Sequence, residues 1–168
     1  KNAKAYKEAR DEFGTVYTSK EKKDAERVAG ALLKNDKAIE LLKDCEFEVP
    51  VLGNVMGMPF RGKADVLGKN RICDIKTTSN IKDFPYSARK YGYDVQVYLY
   101  CNLFNVPYSE FTFLVIDKLS LDIGVWNVTE EFYLKGKEKV AHGIEVYKEY
   151  FYNQPDPELD NYIIKGTL

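Results

Sequence analysis

Polar and apolar positions near the start of the chain follow a helical repeat. Thr18 and Glu21 form a capping box, a hydroxyl followed three residues later by a carboxylate, which predicts a helix start. The apolar positions that follow recur every three to four residues, namely Ala25, Val28, Ala29, Leu32 and Leu33. Asn35 or Asp36 can cap a second short helix. Residues 1–44 are therefore expected to form N-terminal helices.

The repeat changes to an alternation of apolar and polar residues after Cys45. Phe47 and Val49 alternate with Glu46 and Glu48, which predicts a strand. The sequence GNVMGMP at 53–59 contains two glycines and a proline and predicts a turn. Two further strands are predicted at about 60–67 and 72–77, joined by a polar turn.

The second half of the chain predicts buried elements. Residues 93–104, YDVQVYLYCNLF, are apolar on nearly all sides and predict a buried helix. Residues 110–118 predict a fully buried strand, and 122–128 a strand that pairs with it. Thr129 can cap a last long helix that runs to about Asn153, before a polar tail with Pro155 and Pro157.

These elements predict an α/β fold with a central mixed β-sheet flanked by helices. A chain of 168 residues without repeats or linkers suggests a single domain, 1–168. Its parts would be N-terminal helices (1–44), a sheet core with inserted helices (45–128), and a C-terminal helix and tail (129–168).

Composition narrows the class of protein. With 45% hydrophobic and 14% aromatic residues, the chain can bury a real core. The net charge is −1, so a nucleic-acid partner would have to be met by a local basic patch. Three cysteines without paired spacing fit a reducing, cytoplasmic location, and one histidine makes a Cys/His zinc site improbable. No apolar run is long enough for a membrane span, and no signal-peptide pattern is present.

The predicted hairpin contains Asp65, Asp74 and Lys76 at strand positions where Val or Thr is more common. If its turn is centred on Lys69 and Asn70, Asp65 and Asp74 become cross-strand neighbours with Cβ atoms roughly 5 Å apart. Like charges so placed repel, and a divalent cation between them removes the conflict. Lys76 lies on the same face as Asp74, where an ammonium can hold a water molecule or stabilise developing negative charge.

This arrangement suits phosphodiester hydrolysis, with Mg²⁺ or Mn²⁺ as the metal that oxygen ligands prefer. A surface hairpin, in which Lys76 simply pairs with Asp74 in solvent, explains the same spacing equally well on the residues alone. The residues alone also leave the role of Gln96 undecided between structure and function, because a buried glutamine can satisfy its amide on neighbouring backbone groups.

The motifs Gly62, Asp65, Asp74, Lys76, Thr77 and Thr78, followed by Gln96 and Tyr100 in QVYLY, resemble the core of the PD-(D/E)xK nucleases. They are most similar to the RecE and RecB-like exonuclease branch, including the RecE-type proteins of phages and prophages. The restriction-endonuclease-like core of that superfamily agrees with the fold predicted above. The branch often has a histidine upstream of the first acidic strand, whereas the single histidine here, His142, lies downstream.

The resemblance implies a Mg²⁺-dependent (or Mn²⁺-dependent) DNA exonuclease and assigns roles. Asp65, Asp74, the carbonyl of Ile75 and Glu48 would be metal ligands. Lys76 would position or activate the attacking water. Gln96 would line the site, and the residues expected at the substrate are Gln96, Tyr100, Thr77, Arg89 and Lys90. For Arg89 and Lys90, a solvated helix face is the simpler explanation on sequence alone.

The resemblance also implies partners: DNA, as linear duplex ends, a single-strand annealing protein in phage-type recombination, and a homo-oligomer. Two other functions stay open. One is a catalytically inactive nuclease fold that binds DNA or protein, and the other is a structure-specific or restriction-type endonuclease. Retention of Asp65, Asp74 and Lys76 together argues against an inactive site.

Overall fold

The computed structural model of the protein describes residues 3–152. The strands in this range are β1 (Glu46–Val55), β2 (Met58–Leu67), β3 (Ile72–Thr78), β4 (Phe111–Asp117) and β5 (Ile123–Asn127). The helices are α1 (Ala3–Phe13), α2 (Ser19–Leu32), α3 (Asp36–Leu42), α4 (Phe84–Lys90), α5 (Tyr93–Phe104) and α6 (Glu130–Tyr147). A π-helical turn, Lys148–Tyr152, continues α6. The predicted polar tail beyond residue 152 lies outside the described residues.

The five strands form one mixed sheet in the order β1-β2-β3-β4-β5, which confirms the predicted fold class. Neighbouring strands are antiparallel except β3 and β4, which are parallel. A parallel pair needs a long crossover connection, and α4 and α5 provide it. This connection brings α5 across the sheet beside β3.

Side chains of β4 alternate between two apolar clusters, so the sheet is covered on both faces. Phe113 packs into a cluster with Phe84 of α4 and Val97 of α5. Leu114 packs into a second cluster on the opposite face, with Leu32 of α2 and Ala38 of α3. Because β4 is buried on both faces, its sequence reads as a continuous apolar run.

The helix starts follow the predicted caps. The Thr18 hydroxyl and the Glu21 carboxylate form the capping box of α2. Of the two candidates for α3, Asn35 is the N-cap and accepts a hydrogen bond from the backbone of Ala38. Thr129 caps α6.

The turn predicted within 53–59 is present but is shorter than that region. Strand β1 continues to Val55 and β2 begins at Met58, so the connection is the two-residue turn of Met56 and Gly57. Both residues have positive φ, 51° and 76°, as two-residue hairpin turns require. Methionine is not a usual residue at such a position, which is why the sequence did not indicate so tight a turn.

None of the helices within 3–152 is both long and apolar enough to cross a membrane.

Gly136 allows α6 to pack closely on α5. A Cβ at this position would lie 2.0 Å from the backbone oxygen of Asp94. We expect Gly136→Ala to separate the helices and to lower the free energy of unfolding by about 1–3 kcal/mol. Gly143→Ala, on the same helix, is the matched control, because no neighbouring atom lies within 4 Å of its added Cβ. It is expected to be neutral or stabilising by up to about 1 kcal/mol. Urea unfolding of both variants checks this, and equal losses would contradict it.

Candidate active site

Strands β2 and β3 separate at the two aspartates. Their ladder pairs Val66 with Cys73 and Leu67 with Ile72, which is the register predicted from the turn. The ladder stops there, one step before Asp65 and Asp74. Instead of a backbone pair, the Asp65 Oδ2 atom accepts a 2.9 Å hydrogen bond from the backbone N–H of Ile75. The Asp65 carboxylate is thereby held in the opening between the two strands.

Asp74 is a buried carboxylate, with 1% of its surface exposed. Its Oδ1 atom accepts a hydrogen bond from the Gln96 side-chain amide on α5. Its Oδ2 atom forms a 2.6 Å ion pair with Lys76 Nζ. Burial raises the pKa of Asp74, and Asp65 adds to this, while Lys76 and Gln96 oppose it. Asp74 is therefore a buried carboxylate held between a cation and an amide, at the edge of the opening that Asp65 also faces.

Lys76 is fixed on two sides. It projects from the same face of β3 as Asp74, and its side chain is 21% exposed. Its ammonium also lies over the ring of Tyr93, 4.8 Å from the ring centre, in a cation–π contact. The sequence did not indicate this contact, although Tyr93 stands at the first position of α5. The cation is thus held at the opening and not in free solvent.

Gln96 reaches Asp74 because of how α5 begins. Gly92, with φ 69°, turns the chain into the helix in a left-handed conformation. The next turn is anchored by buried Asp94, whose carboxylate lies 2.5 Å from Lys139 Nζ on α6. The Asp94–Lys139 pair joins two helices distant in sequence, so sequence patterns did not reveal it.

We expect Gln96→Leu to weaken divalent-metal binding by about 10–100-fold, because the amide orients Asp74 from outside the opening. Removing the amide leaves Asp74 Oδ1 without its donor and free to rotate. Titration with Mn²⁺ by isothermal calorimetry measures the effect. Asn102→Leu, on the exposed side of the same helix, is the control, and equal affinities in the two variants would contradict the expectation.

Glu48 does not reach the aspartates in this structure. The pairs Phe47 with Val66 and Val49 with Ala64 place it opposite Asp65. However, its backbone is left-handed, with φ 56°, and its exposed carboxylate forms an ion pair with Lys63. The hydrogen bond to Glu48 raises the pKa of Lys63. The assignment of Glu48 as a metal ligand stays a prediction that requires its release from Lys63.

Tyr100 and Thr77 are placed beside the opening, not in it. The Tyr100 hydroxyl donates a 2.9 Å hydrogen bond to the backbone oxygen of Lys63 and accepts one from its N–H. It therefore fixes β2 two residues before Asp65. Thr77 alternates with Lys76 on β3 and lines a groove against α2 on the other face of the sheet. Their contacts with substrate stay predictions.

Arg89 and Lys90 lie exposed at the end of α4. Arg89 donates a 3.1 Å hydrogen bond to the Pro85 carbonyl in its own helix, and Lys90 lies 5.6 Å from the ring centre of Tyr91. Neither cation is joined to the two aspartates by a contact in the structure. Both remain available to a phosphate backbone that approaches along α4.

The donor set fits Mg²⁺ or Mn²⁺ bound with few protein ligands. Across residues 3–152, no three His, Cys, Asp or Glu side chains converge as a metal site by themselves. Mg²⁺ is usually held by one or two carboxylates together with water and substrate phosphates. Asp65 and Asp74 supply that number of carboxylates at the opening between β2 and β3. The Ile75 carbonyl stays the predicted third protein ligand.

The mixed sheet, the open β2–β3 pair and the two aspartates with Lys76 define a nuclease-like α/β fold of the PD-(D/E)xK type. The chain belongs to the family described as "PDDEXK-like domain of unknown function (DUF3799)", which matches residues 1–161.

One solved structure agrees at the level of the fold. The crystal structure of a protein named "Putative exonuclease" from Eubacterium rectale superposes with a TM-score of 0.67 at 18% sequence identity, covering 98% of this chain and 70% of that one. The structure of SSO0001 is more distant, with a TM-score of 0.41 and 17% identity over 82% of each chain. No curated protein matches the sequence. The protein therefore has a nuclease fold.

Proposed function

We propose that the protein is a metal-dependent deoxyribonuclease that degrades linear DNA from its ends. The observation that carries the proposal is the pair of carboxylates, buried Asp74 and Asp65, which meet beside the Lys76 ammonium where β2 and β3 part. Asp117, the other buried aspartate of the sheet, is held by three backbone N–H groups that lower its pKa, whereas burial and the neighbouring Asp65 raise the pKa of Asp74.

Asp65, Asp74 and the Ile75 carbonyl would hold Mg²⁺ or Mn²⁺, and Glu48 would add a ligand directly or through water. The bound ion would polarise the scissile phosphate and offset its charge. Lys76 orients the attacking water, whose oxygen bonds to phosphorus while the P–O ester bond breaks. Lys76 also stabilises the negative charge that develops on the phosphate oxygens. Gln96 keeps Asp74 in position.

The substrate we propose is duplex DNA with free ends. Arg89 and Lys90 would contact its phosphates, and Tyr100, which holds β2 beside the opening, would support the strand. Thr77 faces the groove on the other side of the sheet, so its contact with substrate would be made there. The motifs similar to the RecE and RecB-like branch support exonucleolytic action and a role in phage-type recombination. An annealing protein as partner and a homo-oligomeric assembly follow from the same similarity, and a cytoplasmic location from the unpaired cysteines.

The test compares linear duplex DNA with a covalently closed circle of the same sequence. In Mg²⁺ the protein should release nucleotides from the linear form and leave the circle intact. Cleavage of the circle would replace the exonuclease with an endonuclease of the same fold. Binding of DNA without cleavage in Mg²⁺ or Mn²⁺ would identify a binding module.

A further inference from the structure

A second concave site lies on the same face of the sheet as Asp74. It is a cavity of about 120 Å³ between α4, the end of β5 and the start of α6. This is several times the ~10–15 Å³ that one water molecule needs. Its apolar lining includes the rings of Phe84, Phe113, Trp126 and Phe132. Phe84 and Phe113 are buried and form its floor, and the Trp126 and Phe132 rings are partly open.

Aromatic contacts connect this cavity to the opening between β2 and β3. The Lys76 ammonium lies over Tyr93, and Tyr93 stacks on Phe113, with ring centres 5.8 Å apart. Phe113 is the partner of Asp74 in the β3–β4 register. The cavity thus starts one strand away from the aspartates. Trp126 is the partner of Phe113 in the β4–β5 register, so it lies two strand spacings, about 10 Å, from Asp74. A DNA strand crosses that distance in about three steps of ~3.4 Å.

The Trp126 indole is held in a defined position. It packs on Phe84, with ring centres 4.8 Å apart. It also lies so close to Gly124 of its own strand that a Cβ there would lie 2.2 Å from the six-membered ring, while part of the indole lines the cavity and is partly exposed. Glycine at this position lets the ring lie flat on the edge strand. An aromatic face held in this way is a ready stacking surface.

Polar groups surround the apolar floor. Arg89 and Asn127 stand exposed at the rim, and Arg89 is the only cation among the lining residues. Glu131, in the first turn of α6, interacts electrostatically with Arg89 but is itself paired with Lys135 at 2.6 Å. An apolar aromatic floor with a cation at its edge matches a planar base attached to a phosphate.

We propose that this cavity binds one nucleobase of the DNA strand that is cut, with the base stacked on Trp126 and the adjoining phosphate near Arg89. The inference rests on the proposed function and adds a substrate contact to it. A base held here draws the end of the strand away from its partner and fixes the scissile phosphate beside Lys76. Stacking is tolerant of base identity, so the pocket serves a nuclease without sequence preference.

Trp126 is the single tryptophan of the chain, so its fluorescence reports directly on the cavity. We would titrate the protein in EDTA, where no hydrolysis occurs, with a short single-stranded oligonucleotide. Matched oligonucleotides would carry an abasic sugar at the 5′ or the 3′ end. The intact strand should quench Trp126, and one of the abasic strands should bind about 5- to 100-fold more weakly without quenching. Equal quenching and affinity for all three strands would overturn the proposal.

Variants separate this pocket from the catalytic site. Trp126→Ala should lose the preference for the terminal base, and Trp126→Phe should retain it, as measured by fluorescence anisotropy of labelled DNA. Val125→Ala, exposed on the same strand, is the control for the edge of the sheet. If all of these proteins cleave DNA but none distinguishes abasic from intact ends, the pocket proposal fails while the nuclease proposal stands. If base-dependent quenching occurs without any cleavage, the nuclease proposal fails and the pocket stands.

Discussion

Replacing Asp74 by asparagine is expected to abolish DNA hydrolysis and to raise the melting temperature of the metal-free protein. Asparagine keeps the oxygen that accepts the Gln96 hydrogen bond but loses the charge that would bind the metal. Since metal-ion catalysis contributes several kcal/mol, the loss of rate is expected to be about 10³-fold or more. Stability should increase because burial of the charged carboxylate is costly, as its raised pKa shows, and the neutral amide avoids that cost.

The stability gain of Asp74→Asn depends on pH through the pKa of Asp74, which burial raises above its ordinary value near 3.8. A carboxyl with a raised pKa favours folding when protonated and loses that contribution as the pH rises through its folded-state pKa. The stability difference between Asp74→Asn and the wild type should therefore be small near pH 4 and grow towards pH 7. Differential scanning calorimetry in EDTA across this range measures it.

Asp117→Asn is the matched control, since Asp117 is also a buried aspartate of the sheet. Its carboxylate accepts hydrogen bonds from the N–H groups of Leu119, Ser120 and Ile81, which hold the pKa of Asp117 below its usual range. An amide cannot accept all three, so this variant should lose stability while keeping hydrolysis. The account is contradicted if Asp74→Asn is destabilised as Asp117→Asn is, or if it remains active.

Replacing Lys76 by methionine is the change with the second largest expected effect. Methionine fills similar space but removes the cation from the opening, so hydrolysis should fall by about 10²–10⁴-fold. The metal-free protein should also lose about 3 kcal/mol, because a buried carboxylate is left without its partner. Saturating Mn²⁺ should restore most of this stability, since the ion would replace the missing positive charge.

Lys135→Met provides the comparison for Lys76→Met. Lys135 pairs with Glu131 on the exposed surface of α6, where one ion pair contributes only about 0.3–0.5 kcal/mol. Its melting temperature should barely change, with or without Mn²⁺. Steady-state cleavage rates measure the loss of hydrolysis in both variants, and thermal scans with and without Mn²⁺ measure the change in stability. Wild-type activity in Lys76→Met would show that Lys76 only neutralises Asp74 and takes no part in hydrolysis.

Sequence patterns revealed the part of the site that depends on strand periodicity. Asp65, Asp74 and Lys76 were placed on one face because side chains alternate along a strand, and the turn at Lys69 and Asn70 fixed the register. The buried helix α5 was predicted with its observed bounds because its residues are apolar on nearly all sides. These signals are local, and a single sequence carries them.

The contacts that complete the site are not local, and the sequence did not reveal them. The left-handed backbone of Glu48 and its pairing with Lys63 depend on the conformation of β1 and β2 together. The contact between Lys76 and Tyr93 needs the crossover connection that brings α5 onto the sheet. Asp117 ties together two loops through hydrogen bonds from Ile81 and Leu119, and the strand pattern at 110–118 gave no sign of this role.

The most direct test of the central claim is the release of acid-soluble nucleotides from linear duplex DNA by the purified protein. The reaction would be run in Mg²⁺, Mn²⁺ or EDTA, with the wild type and Asp74→Asn side by side. The account predicts release by the wild type only when a divalent metal is present, and none by Asp74→Asn under any condition. Release in EDTA, release by Asp74→Asn at the wild-type rate, or no release by the folded wild type in either metal would contradict it.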